Sequence, residues 1–89
     1  MAKATKKVPT KSKAIEHDLD ADLKKVGNRI KQLRIKAGYA SYEVFAFENN
    51  INRTQFGRYE KGEDLRISSL FKVLQALKVT PKEFFSDGF

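Results

Sequence analysis

From Asp18 onward the apolar positions Leu19, Leu23, Val26, Ile30, Leu33 and Ala37 recur at alternating spacings of four and three, the repeat that draws one stripe along an α-helix. Asp18, Asp20 and Asp22 crowd its start, where the helix dipole favours negative charge, and Lys36 followed by Gly38 marks its end. The pattern predicts a first helix from Asp18 or Asp20 to about Ala37. Ser41 is a good N-cap for a second, Tyr42 to about Asn49, with Phe45 and Ala46 facing the core. Asn49 and Asn50 break it, because Asn tolerates the left-handed backbone better than other residues with a side chain. Ile51 returns the chain to the core, Asn52 caps a third helix from Arg53 to about Lys61, and Gly62 ends it.

A fourth helix is predicted from about Ser68 or Ser69 to Leu77, with Leu70, Val73, Leu74 and Leu77 on one face. Thr80-Pro81-Lys82-Glu83 then reads as a helix start: Thr80 caps, Pro81 suits the first helical position, and Glu83 returns the bond as a capping box. This fifth, short helix carries Phe84 and Phe85. No segment alternates apolar and polar residues convincingly, so the fold class is all-α, with short connections.

Residues 1–17 fall outside this patterning. They carry Lys3, Lys6, Lys7, Lys11 and Lys13 against the single acid Glu16, with almost no large apolar side chain. Such a segment cannot offset its ordering entropy by burial, so a disordered basic tail is expected, followed by one domain over residues 18–89. The tail is either a solvated leader or an arm that touches phosphates.

Charge adds a direction. Eighteen Lys and Arg against eleven Asp and Glu leave a formal charge of +7 over 89 residues, which favours polyanionic partners. The excess is local. Residues 24–62 hold Lys24, Lys25, Arg29, Lys31, Arg34, Lys36, Arg53, Arg58 and Lys61 against Glu43, Glu48 and Glu60, whereas basic and acidic residues balance over 63–89. There is no cysteine, hence neither a disulfide nor a thiolate metal site. The sole histidine, His17, lies in the tail, and no Ser, Asp or Glu has a base or metal partner at a recognisable spacing. An enzyme is not expected, nor a metal or other cofactor. No apolar run approaches the roughly 18 residues of a membrane span, so a cytoplasmic protein without membrane contact is expected.

The second and third helices, joined by about three residues, must cross steeply. Ala46 supplies the small residue where they touch, Asn50 the residue able to take positive φ, and Phe45, Ile51, Phe56 and Tyr59 the apolar anchors. Arg53, Thr54, Gly57, Arg58 and Lys61 are left outward as one stripe, with Gln55 beside it and no acid among them. These are side chains that read base edges or hold phosphates.

Taken together, Gly27 to Arg34 with Gly38, Ser41 to Ala46, Ile51 to Gly62, and Leu70, Ala76-Leu77, Val79 and Glu83-Phe84-Phe85 resemble the phage-repressor and Cro type of helix-turn-helix proteins, with a xenobiotic-response-element-like DNA-binding domain. The likeness runs over about residues 23–86. It implies a five-helix, lambda-repressor-like DNA-binding domain whose third helix, about 53–61, enters the major groove of double-stranded DNA. A homodimer on DNA is the corresponding expectation, formed through the C-terminal part, where Phe85 and Phe89 stand. Base reading falls to Arg53, Thr54, Gln55, Gly57 and Arg58, with Gly57 allowing close approach to the groove; phosphate contacts fall to Tyr42, Asn52 and Lys61. The resemblance also implies a structural ion pair between Arg34 and Glu60.

The chain departs from that pattern in places. It has one residue more between Gly38 and Ser41, Tyr42 for a usual Gln, Asn50 for a usual Gly, and a shortened 63–67 segment without the common Pro. Val44 and Phe47 stand where the family tends to be polar, and are expected to be core reached by another segment or else a partner surface. The alternative function is an antitoxin or adaptor that uses this fold to hold a protein, with Phe47, Phe85 and Phe89 as its contact surface.

Overall fold

A computed structural model of the chain describes residues 18–89; the basic tail expected over residues 1–17 lies outside them. Five helices follow one another: α1 Leu19–Lys36, α2 Tyr42–Glu48, α3 Arg53–Glu60, α4 Ile67–Leu77 and α5 Pro81–Phe85, with no strand among the described residues. The caps are those the side chains favour. Asp18 accepts from the Ala21 amide, Ser41 from Val44 and Asn52 from Gln55. At α5 the Thr80 hydroxyl accepts from the Glu83 amide at 3.1 Å while the Glu83 carboxylate accepts from the Thr80 amide at 2.8 Å, a complete capping box.

The core is one cluster. Ile30 and Leu33 of α1, Phe45 and Ala46 of α2, Phe56 of α3, the Leu70, Val73, Leu74 and Leu77 face of α4, and Phe84 of α5 are all buried together. Each fully buried Phe or Ile contributes roughly 1.5–3 kcal/mol, so Ile30, Phe45, Phe56 and Phe84 are the principal anchors. α1 lies against α2, α3 and α4, and α5 leans on α4.

Three details differ from the expectations. α4 starts at Ile67 under a cap residue, Arg66, that makes no side-chain capping bond. The helix thus begins one residue ahead of the start expected at about Ser68. Leu19, the first position of the α1 stripe, is exposed. Val44 and Phe47 are not covered by another described segment; they are 48% and 83% exposed, because the outward side of α2 has no neighbour there.

Among the described residues, two with side chains take the left-handed backbone, Asn50 at φ 56° and Lys78 at φ 62°. Asn50 closes the α2 to α3 turn, where the Ile51 amide donates to the Ala46 carbonyl at 2.9 Å. Lys78 ends α4, and the Val79 amide returns to the Leu74 carbonyl at 3.1 Å. That bond belongs at a helix end of this kind, where Gly is the usual residue.

Candidate nucleic-acid interface

α2 and α3 are held at a fixed crossing by aromatic contacts beneath the turn. The Phe45 ring lies 5.1 Å from Phe56 of α3, and Tyr39 meets Phe45 edge-on at 5.0 Å. The Asn49 side-chain amide donates to the Phe45 carbonyl at 2.8 Å, a second bond to an acceptor that the Asn49 backbone amide also reaches at 3.2 Å.

The far end of α3 is fastened to α1 by main chain and by charge. Gly27 of α1 is buried against it. A Cβ there would overlap the Tyr59 carbonyl oxygen and come within 2.8 Å of both the Glu60 carbonyl oxygen and the Gly62 amide nitrogen. Only a residue without a side chain lets the two backbones approach this closely. About two turns further along α1, Arg34 is 3% exposed and makes two parallel bonds to Glu60, Nε to Oε2 at 2.7 Å and Nη2 to Oε1 at 3.0 Å. Its remaining Nη1 donates to the Tyr39 carbonyl at 2.7 Å, so the one guanidinium joins α1, α3 and the loop before α2. Among the described residues no buried side-chain nitrogen or oxygen lacks a partner.

What α3 leaves outward is Arg53, Thr54, Gln55, Arg58 and Lys61, all exposed. Arg58 has a loose partner in Glu63, Nε to Oε1 at 3.9 Å, with both side chains more than half exposed. A pair this open is worth little and leaves Arg58 free to exchange its partner. Asn52 uses its side-chain oxygen to cap α3, accepting from the Gln55 amide at 3.0 Å, while its amide group stays at the exposed helix entrance.

Gly57 stands apart from this stripe. It is buried, and the atoms nearest to a Cβ at that place belong to Tyr42 of α2: Cε1 at 2.9 Å, Cζ at 3.3 Å and the hydroxyl oxygen at 3.4 Å. The expectation that Gly57 itself meets the bases therefore gives way. The room that its missing side chain leaves is taken by the Tyr42 ring, and α2 approaches α3 more closely than a larger residue would permit.

Arg29 is a tie that sequence reasoning missed. Its Nε and Nη2 donate to the carbonyls of Phe84 and Glu83, each at 3.0 Å, and Nη1 stands 3.7 Å from Asp87. The last carbonyls of α5 are thus capped by α1, across more than fifty residues of chain. No local signal could have paired them. Tyr39 and Glu48 were also unremarked; the hydroxyl donates to the carboxylate at 2.9 Å, and that bond, with the neighbouring negative charge and some burial, raises the phenol pKa. The Glu83 carboxyl is held below its usual range by the Thr80 backbone amide first and the Thr80 side chain second.

The described residues hold no group of His, Cys, Asp and Glu fit for a metal ion, and none of their helices is long and apolar enough to cross a membrane. The arrangement is a helix mounted on α1, crossed by α2, and presenting an outer face of donors without an acid.

No protein-family profile matches the chain, and no curated protein sequence does. Solved structures do. The restriction-modification controller protein C.AhdI from Aeromonas hydrophila is 35% identical, with a TM-score of 0.65, over 73% of this chain and 98% of that one. The controller protein C.Esp1396I, solved as the wild-type protein and as a tetramer in complex with its natural 35 base-pair operator, is 31% identical, with a TM-score of 0.67, over 82% of this chain and 92% of that one. The fold and these likenesses define a helix-turn-helix transcription regulator of the Cro and lambda-repressor class that binds DNA in a sequence-specific manner. The chain belongs to the restriction-modification controller proteins.

Proposed function

We propose that residues 18–89 form a DNA-binding domain that places α3 in the major groove of an operator and regulates transcription as a homodimer, without catalytic activity or a cofactor, in the cytoplasm. The observation that carries this reading is the outer face of α3, where Arg53, Thr54, Gln55, Arg58 and Lys61 are all exposed on a helix whose other side is fixed by Gly27 and the Arg34 to Glu60 pair. Arg53, Thr54 and Gln55 open the helix and would meet base edges; Arg prefers guanine through two parallel bonds, Gln adenine. Arg58 joins them one turn on. Tyr42, Asn52 and Lys61 flank this set and would meet phosphates. The relative that was solved as a tetramer in complex with its natural operator supports operator binding by this chain.

Pairing would use the C-terminal half. Ile67 and Phe71, one turn apart on α4, are exposed, as are Phe85 and Phe89, whose rings lie 5.1 Å from each other. An apolar face of this kind fits a second copy of the chain, and two-fold pairing would set two α3 helices about 34 Å apart on successive major grooves. Selection of bound sequences from a random duplex pool, followed by footprinting, tests the proposal. A two-fold-related site protected over two half-sites is expected; the absence of any enriched sequence would end the reading. The 83% exposure of Phe47 favours a second role as a protein-holding module. In that case a partner would be retained by the wild-type chain and lost on Phe47→Ala, with DNA binding unchanged.

A further inference from the structure

We infer that Tyr42, although it belongs to α2, is a specificity-determining residue: its phenol stands in the side-chain slot that Gly57 leaves vacant on α3 and reads a base edge from there. The inference rests on the proposed docking of α3 and changes the role of Tyr42 from a phosphate contact to a reading group.

The slot defines the geometry. On a helix, the surface around residue 57 is bordered by the residues three and four positions away, which are Arg53 and Thr54 on one side and Glu60 and Lys61 on the other. Glu60 is turned under the helix to Arg34. Arg53, Thr54 and Lys61 are exposed and belong to the outer face. The Tyr42 hydroxyl oxygen lies 3.4 Å from where a residue-57 Cβ would be, so it emerges beside these three, at the reach of a medium-sized side chain of α3 itself. The ring covers Gly57 while Tyr42 as a whole remains 37% exposed. Among the described residues its hydroxyl makes no hydrogen bond. A phenol is both donor and acceptor, so it can pair with a purine acceptor, a thymine carbonyl or an exocyclic amine in the groove.

The partnership is reciprocal. A side chain at 57 has no room while the ring is there, and the ring has no access to α3 unless residue 57 is glycine. The atoms that a Cβ would meet are the far end of a side chain, not backbone, so Gly57→Ala should push the phenol away without breaking the fold. Tyr42→Phe removes only the hydroxyl.

Both variants, in the full chain, should be assayed against the selected duplex and a complete set of its single base-pair changes, with thermal melts alongside. For Tyr42→Phe the expected result is a two- to tenfold loss on the preferred duplex, the worth of one hydrogen bond, with discrimination flattened at one or two base pairs and intact elsewhere. Gly57→Ala should alter preference at the same base pairs. If Tyr42→Phe weakens every duplex by one factor, or changes nothing, the phenol does not read bases and the inference is overturned. A wild-type chain with no preference among the duplexes would instead remove the proposed function beneath it, a distinct result.

Discussion

Replacing Arg34 by Ala removes a charge whose partners are all inside the protein. The Arg34 and Glu60 side chains are 4% and 9% exposed, and the guanidinium makes three hydrogen bonds, two to the carboxylate at 2.7 and 3.0 Å and one to the Tyr39 carbonyl at 2.7 Å. The variant leaves the Glu60 side chain without its counter-charge and with little water around it, and a carbonyl without its donor. Breaking a buried pair in this way costs roughly 3–5 kcal/mol. A domain of this length has about 4–11 kcal/mol of stability in total, and each kcal/mol is worth about 4–8 °C in melting temperature. Arg34→Ala should therefore lower the melt by more than ten degrees, on the low side of that range, or leave the chain partly unfolded at room temperature. Circular dichroism melts and urea titrations read this directly. The double variant Arg34→Met with Glu60→Leu isolates the cause, because it removes both charges and fills the space; it should recover most of the loss. A single variant that melts within two or three degrees of wild type would refute the reasoning, as would a double variant no better than the single.

Lys78 occupies a left-handed helix end with φ 62°, so Lys78→Gly should raise stability by a few tenths to about 1 kcal/mol in a urea titration; a loss would mean that the Lys78 side chain is needed for packing. Arg53→Ala should cost about 1–3 kcal/mol on the selected duplex and relax preference at particular base pairs, whereas Lys61→Ala should weaken all duplexes alike; equal losses for Arg53→Ala on specific and non-specific duplexes would count against base reading by that residue. Deleting residues 1–16 removes five lysines and should reduce the salt dependence of binding without moving the preferred site, and a changed site would contradict this. The Glu83 carboxyl has a lowered pKa in the folded chain, so its charge stabilises the fold above the unfolded-state value of about 4.3, and this contribution is lost as the pH falls through the folded value. The stability gap between wild type and Glu83→Gln should accordingly close between neutral and acidic pH; a gap independent of pH would show that the charge contributes nothing.

The helices were legible because their periodicity and caps are local. The four-and-three spacing from Leu23 to Leu33, the Thr80 to Glu83 box and the Asn50 turn each depend on residues within one or two turns. The start of α4 was legible only to within a residue, because Arg66, the residue before Ile67, makes no side-chain capping bond that would mark it. Gly57 shows a different limit. Helical spacing places it near the outer face of α3, but only the position of α2 reveals that a ring already fills its slot. Arg29 counted in the sequence as one more positive charge, and its bonds to the Glu83 and Phe84 carbonyls depend on tertiary folding. Lys78 has no compositional mark at all, since nothing about a lysine announces a left-handed backbone.

The contact at Gly27 separates how α3 is held from what it displays. Its mounting on α1 uses peptide atoms of Tyr59, Glu60 and Gly62, which every sequence possesses, one internal charge pair, and the buried Phe56 ring. The displayed side chains at 53, 54, 55, 58 and 61 take no part in that mounting. The molecule is in this sense a fixed chassis with an interchangeable face. Simultaneous substitution at those five positions should leave the frame standing, which gives such a regulator room to drift from one target sequence to another while the body beneath stays the same.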